Sequence, residues 1–446
     1  MTLRGDYSGS FDPDASLACF SRQTLARLGR EYLLCGHLQD RVGLPLVAKH
    51  AGGDAYVQLA IDEWMAASPV YSLRMQRALG FEGHDVGTVF KNLQLDIGAP
   101  HQFMDFQFRL DRPDYGEFWL PHCGALLDVE PFGEERVKLM CHDIEDPTFD
   151  ATAAATHPCM KVRAIHRPPR SPAGRTPHCR WSVYIGDEAE PYEQHANLEL
   201  VRASQAATVA LDVGGSDPGD GEDDERGGWP DYSGPFDPGF QLEDLSHRAL
   251  VTVAQEVALQ SHLLARSFML AVSQRLGDAL ASELGAAQWT GIAALTALRI
   301  REPLGIEGDD IEAVAKVFQL HPCFHPRGYL DFRVEVTGPD RARIAIGDCP
   351  ALAEADAYTW FAGLGAAPHR ALDAIAASVN PRARCYPDSK TRDARLAWEV
   401  VIDPGAEPQE EPPELALARI SRGAAFRFEQ RRTLRGTAER DIVAGV

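Results

Sequence analysis

Residues 138 to 181, KLMCHDIEDPTFDATAAATHPCMKVRAIHRPPRSPAGRTPHCRW, hold three of the chain's nine cysteines and four histidines. Thiolates and imidazoles are soft or borderline donors suited to Zn or Fe, and the same groups serve as nucleophile and base in thiol catalysis. A ligand set needs atoms converging from separate segments. The candidates are Cys123 just after a strand, Cys141 or His142 on the next helix, and Cys179 at the last strand. Three such ligands leave an open position for water. Glu145 follows His142 by three residues, one helical turn, so it shares that face and is placed to act as general base. Cys141, His142 and Glu145 are therefore the candidate catalytic residues, and Cys123, Cys141, His142 and Cys179 the candidate metal ligands. The spacing is not that of a zinc finger, having one CH doublet and no CxxC. Plainer roles stand beside these: Cys141 as core at a helix end, His142 as a surface cap, Glu145 as a solvated carboxylate.

Lys161, Arg163, Arg167, Arg170, Arg175 and Arg180 occupy a stretch without Asp or Glu, in a chain with 65 acidic and 44 basic residues. That local reversal of charge points to an anion pocket. Pro168 and Pro169 hold the backbone extended and present Arg170, whose planar fork takes a carboxylate or phosphate through two bonds. Arg163, Arg170, His178 and Arg180 are the candidate substrate-binding residues. The alternative is that these arginines pair with the acidic surface of the second unit or with the linker. A net charge of -21 repels a phosphate backbone, which argues against nucleic acid as a partner. No long apolar run is present and MTLRGDYSGSFDP lacks the apolar core of a signal peptide, so no membrane span and a cytoplasmic location with reduced thiols are expected. The absence of GxGxxG, Walker, HExxH and GxSxG patterns leaves no support for a nucleotide cofactor, zincin chemistry or a serine-hydrolase elbow.

The elements that must position these residues occur twice. DYSGSFDP at 6–13 returns as DYSGPFDP at 231–238, and LGFEGHDVGTVFKNLQL at 79–95 lies without a gap on LGIEGDDIEAVAKVFQL at 304–320, both at a spacing of 225. Further on, Cys123 meets Cys349, and CRWSVYI (179–185) meets LAWEVVI (396–402). The sequence reads as a first unit at 1–213, an acidic Gly-rich linker at 214–228, a second unit at 229–403 and a Pro/Glu-rich segment with tail at 404–446. Within each unit, apolar residues at helical spacing come first, as in 241–300, and period-two runs such as MDFQFRL and LDFRVEV follow. The expected fold is α+β: N-terminal helices, then an antiparallel sheet with packed helices, twice over. The two units are expected to pack as an intramolecular pseudo-dimer, and a further homo-oligomer stays open.

The second copy shows what the scaffold tolerates. Alternation places Cys179, Trp181, Val183 and Ile185 on one face, with His178 and Arg180 on the other, and the matching face of the second copy has Leu396 in place of Cys179. That favours a buried, inert thiol at 179. Cys141 and His142 fall on Leu364 and Gly365, with His369 near enough for a small gap to restore one imidazole, so the chemistry is expected in the first unit and the second is expected to be degenerate.

The C-G-A-L after a strand, the CH doublet with an acid three residues on, the PPR turn and the closing C-x-W strand together resemble a bacterial group related to L-2-amino-thiazoline-4-carboxylic acid hydrolase. The resemblance covers roughly 90–185 and, in degraded form, the second unit. Cys123, Cys141, His142 and Cys179 match that group's Cys and His positions, and Arg170 its PPR arginine. The resemblance implies an enzyme that opens or hydrolyses a small carboxylate-bearing heterocycle or amide. The chain departs from it by being duplicated and by lacking the Cys-His pair in its second half. The cysteine distribution is also similar to ligand-sensing domains of the 4-vinyl reductase type. The function read from the sequence is accordingly a metal- or thiol-dependent hydrolase-like enzyme on a small anionic molecule, with a metal- or small-molecule-binding regulatory protein without turnover as the alternative.

Overall fold

The computed structural model describes residues 3–186, 191–211, 223–365, 367–389 and 394–432. Its first half runs α1 (Arg22–His37), α2 (Asp40–Ala51), α3 (Gly53–Ala78), α4 (Val86–Leu93), β1 (Gln107–Arg112), β2 (Tyr115–Leu120), α5 (Gly124–Val129), α6 (Glu134–Lys138), a π-helical turn (Leu139–Ile144), α7 (Glu145–Ala154), β3 (Met160–His166), β4 (Cys179–Ile185), α8 (Leu198–Arg202) and α9 (Gln205–Thr208). After the short α10 (Asp223–Arg226) come α11 (His247–Leu276), α12 (Asp278–Arg301), α13 (Ile311–Leu320), β5 (Phe332–Gly338), β6 (Arg341–Ile346), α14 (Arg370–Val379), β7 (Ala383–Pro387), β8 (Leu396–Ile402) and α15 (Pro413–Ala418). The fold is mixed α+β with two four-stranded antiparallel sheets of the same order, β1-β2-β4-β3 and β5-β6-β8-β7.

Local chemistry explains the helix boundaries. Ser21 accepts from the Thr24 amide at the start of α1, and Ser246 from the Ala249 amide at the start of α11. Asp85 and Asp310 do the same for α4 and α13. Each cap satisfies an amide that the first turn leaves open. Gly52 (φ 86°) and Gly277 (φ 96°) form the corners into α3 and α12, where a left-handed backbone favours glycine. The long helices build a common layer in which α3 and α1 pack on α11, and α12 packs on α2, α14 and α15. One continuous apolar core runs through both halves.

The repeated segments dock crosswise. The Tyr7 hydroxyl donates to Gln319 Oε1 at 2.7 Å, and the Tyr232 hydroxyl to Gln94 Oε1 at 2.7 Å. Lys316 Nζ donates to the Gly9 carbonyl, and Lys91 Nζ to the carbonyls of Tyr232 and Gly234. Two buried bidentate pairs obey the same spacing of 225: Arg74 with Glu256 and Arg299 with Glu31. The remaining guanidinium nitrogen of Arg74 donates to the carbonyls of Ala207 and Val209, and that of Arg299 to those of Gly423 and Ala424.

The stretch read as a linker lies partly outside the described residues. Its end is docked, since Glu225 accepts from the Arg22 amide at 2.9 Å. The segment after 403 is likewise built into the fold: Ser421 and the Arg422 amide bind the Asp128 carboxylate, and Phe426 packs on Phe103. No described helix is long and apolar enough to cross a membrane.

Candidate functional site

Three of the candidate thiols meet. Cys123 caps α5, its sulfur accepting from the Leu126 amide at 3.4 Å. Cys141 sits in the π-helical turn and Cys179 is the first residue of β4. Together with Glu145 and His178 they line one small void, walled by Phe149, Trp181 and Pro168 among others. Its free space is about 10 Å³, roughly what one water needs. Larger cavities exist, but they lie away from these groups.

The π-helical turn decides which side chains share the void. Its i to i+5 hydrogen bonding widens the turn, so residues four apart stay in line and residues three apart do not. Cys141 and Glu145 therefore face the same space, whereas His142 is turned away and its Nε2 lies 2.6 Å from the Pro168 carbonyl oxygen. The adjacent Cys141 and His142, read together in the sequence, are directed to different places. His178 departs from expectation in the opposite sense. Strand alternation assigns it to the face away from Cys179, yet it precedes the first residue of β4 and lines the same void.

Desolvation sets the protonation states. Burial pushes the Cys123 thiol up to about 12, and it pushes Cys141 and Cys179 well upward, with Glu145 and the neighbouring thiols adding to the shift. These groups are neutral thiols at pH 7. Glu145 is half-buried by its own accessible surface, but protein atoms crowd its carboxyl and that desolvation pushes it up to about 8, against a smaller opposing effect of Arg167. No hydrogen-bond donor or ion-pair partner holds this carboxyl among the described residues. His178 is lowered by burial first and by Arg170 second, and its Nδ1 has no partner.

The arginines are engaged by the chain's own acids. Arg170 Nε and a terminal nitrogen grip Glu130 at 2.7 Å each, Arg163 holds Asp150 at 2.8 Å, Arg180 Nε holds Glu117 at 2.6 Å, and Arg167 pairs with Asp146. Four arginines of the basic stretch are thus neutralised, by acids of the first half rather than of the second unit or the linker, and these four are not left open to a ligand anion in this arrangement. Glu130 and Asp146, missed in the sequence, carry the partnerships that fasten the loop 167–178. Among the described residues, no three His, Cys, Asp or Glu side chains are grouped as a metal-binding set. The three sulfurs and the carboxyl face one void without closing on it.

Comparison with protein-family models, with curated proteins and with solved structures finds no match. The reading of the site rests on its own chemistry.

Proposed function

We propose that the first half carries an enzyme centre that hydrolyses or opens a small carboxylate-bearing molecule, with Glu145 handling the proton. One observation carries this reading: a carboxyl without a partner, pushed up to about 8, faces a void that it shares with three thiols and an imidazole. A carboxyl at that value is mainly protonated at pH 7 and gives or takes a proton at little cost, as acid-base catalysis requires. Substrate reaches it when the loop 167–178 moves aside. That loop is held by Arg167 on Asp146, Arg170 on Glu130, and His142 on the Pro168 carbonyl. A substrate carboxylate competing with Glu130 for the Arg170 fork both opens the loop and is oriented by it. His142 is then a positioning residue for the loop. Arg163 and Arg180, tied down at the sheet, have no part in this step.

The test is turnover of a panel of small carboxylate-bearing heterocycles and amides. Glu145→Gln should lower kcat/KM by roughly 10²–10⁴-fold and remove the ionisation near pH 8 from the rate profile, with thermal stability kept. Undiminished turnover in Glu145→Gln overturns the reading.

A metal-binding centre is the second reading, favoured by three sulfurs and a carboxyl on one void. Zn or Fe would be held by Cys123, Cys141 and Cys179 with Glu145, leaving out His142. A bound dication deprotonates thiols that burial otherwise keeps neutral. The side chains must turn inward to close on it. Elemental analysis of protein purified without chelators should find close to one Zn or Fe per chain, lost in Cys141→Ala with Cys179→Ala; protein that is metal-free and folded rules this reading out.

The second half supports a division of labour. Its matching positions hold Cys349 and Leu396, and a 3-10 turn (Trp360–Gly363) followed by α14 stands where the first half has α6, the π-helical turn and α7. Common strand order and crosswise contacts at a spacing of 225 support a duplicated chain packed as an intramolecular pseudo-dimer. In that reading the 404–432 segment belongs to the second unit, as 198–209 belongs to the first.

A further inference from the structure

A second cavity, of about 750 Å³, lies between α1, α12 and the strap 419–430, lined by other residues than the thiol void. Its size falls within the range of about 300–1,000 Å³ typical of small-molecule sites. Nine charged residues line it, and most neutralise one another: Arg30 with Glu243, Arg299 with Glu31, Arg427 with Glu302, while Arg419 is held by Glu411 outside the wall. Two remain. Arg27 on α1 and Glu429 on the strap, both exposed, have no ion-pair or side-chain hydrogen-bond partner among the described residues. Leu295, Leu298 and Phe428 add apolar surface to the same lining. The wall also keeps an unused donor and acceptor, Arg30 Nε and Glu243 Oε1, both buried.

We infer that this cavity binds a small zwitterion with an apolar body, of amino-acid or dipeptide size. Its carboxylate meets the Arg27 fork, its ammonium meets the Glu429 carboxylate, and its side chains cover Leu298 and Phe428. Among the described residues this lining offers one unpaired cation and one unpaired anion beside apolar surface, which selects for a molecule that carries both charges. A simple anion or cation leaves one wall charge unmatched, and an uncharged apolar molecule leaves two.

The experiment uses the full chain and isothermal titration with L-leucyl-L-leucine, its N-acetyl derivative and its C-terminal amide. Saturable binding of the dipeptide is expected, with each derivative at least tenfold weaker. Arg27→Ala should weaken the dipeptide about tenfold and abolish discrimination against the amide while keeping discrimination against the acetyl form; Glu429→Gln should do the converse. Leu298→Trp, which intrudes on the apolar part of the cavity, should abolish binding while thermal unfolding confirms a folded chain. No saturable binding of the dipeptide, or of leucine and phenylalanine as smaller zwitterions, at millimolar concentration overturns the inference. So does binding that survives Leu298→Trp in a folded protein, or that the acetyl and amide derivatives match.

Discussion

Glu145 is a carboxyl that folding deprives of water without supplying a partner among the described residues. Folding raises it from its ordinary 4.5 to about 8, so between those values the native chain holds a proton that the unfolded chain has released. The stability linked to this group is complete below about pH 4.5 and is lost as pH rises to 8. Glu145→Gln has no proton to lose. Its melting temperature relative to the parent chain should therefore climb from pH 5 to pH 8 and then level off, read by thermal unfolding at several pH values; a difference independent of pH contradicts the assigned environment. The neighbouring sulfurs share the cause. A thiol displaced upward by burial is a poor nucleophile while the void stays closed.

At the scale of elements, the loop 167–178 and the π-helical turn form one assembly. The turn brings Cys141 and Glu145 into line and sends His142 outward to hold the loop, while Glu130 and Asp146 hold its arginines. Arg170→Ala removes a two-bonded contact whose partners are largely buried, with side chains 16% and 28% exposed. A loss of ~1.4 kcal/mol in loop closure is a tenfold rise in the open population. Labelling of Cys141 and Cys179 by iodoacetamide, followed by mass spectrometry, should accelerate about tenfold in this variant, with the labelling of distant Cys35 unchanged. Equal rates in both proteins mean that the loop does not guard the void. Little of this was legible in advance. In an α-helix Glu145 shares a face with both Cys141 and His142, four and three residues before it, and the widened turn keeps Cys141 in line but drops His142. Nor does sequence identify the acid for each arginine: Glu130 lies 40 residues from Arg170 and Glu117 lies 63 from Arg180.

For the whole molecule, the crosswise contacts mean that neither half completes its own core. Arg74 and Glu256, 8% and 4% exposed, join α3 to α11, and Arg74 also satisfies the carbonyls of Ala207 and Val209. Arg74→Ala leaves a buried carboxylate without its counter-charge, which costs about 3–5 kcal/mol. Urea unfolding should show that loss in a single transition detected equally by probes in both halves. Two separate transitions would show that the halves are energetically independent, against the shared core.

The sequence by itself determined the period-two strands, the helical spacing and the mixed α+β class, and the caps that the structure shows at Ser21, Ser246, Asp85 and Asp310 are equally local. These follow from hydrogen bonding and side-chain periodicity within a few residues, which survive in any context. Tertiary structure alone decided the crosswise docking of the repeated segments, the pairing of the arginines and the gathering of Cys123, Cys141, Glu145, His178 and Cys179 around one void. Those depend on residues brought together across tens to hundreds of positions, and on desolvation, which exists only once the chain has closed around the group it excludes from water.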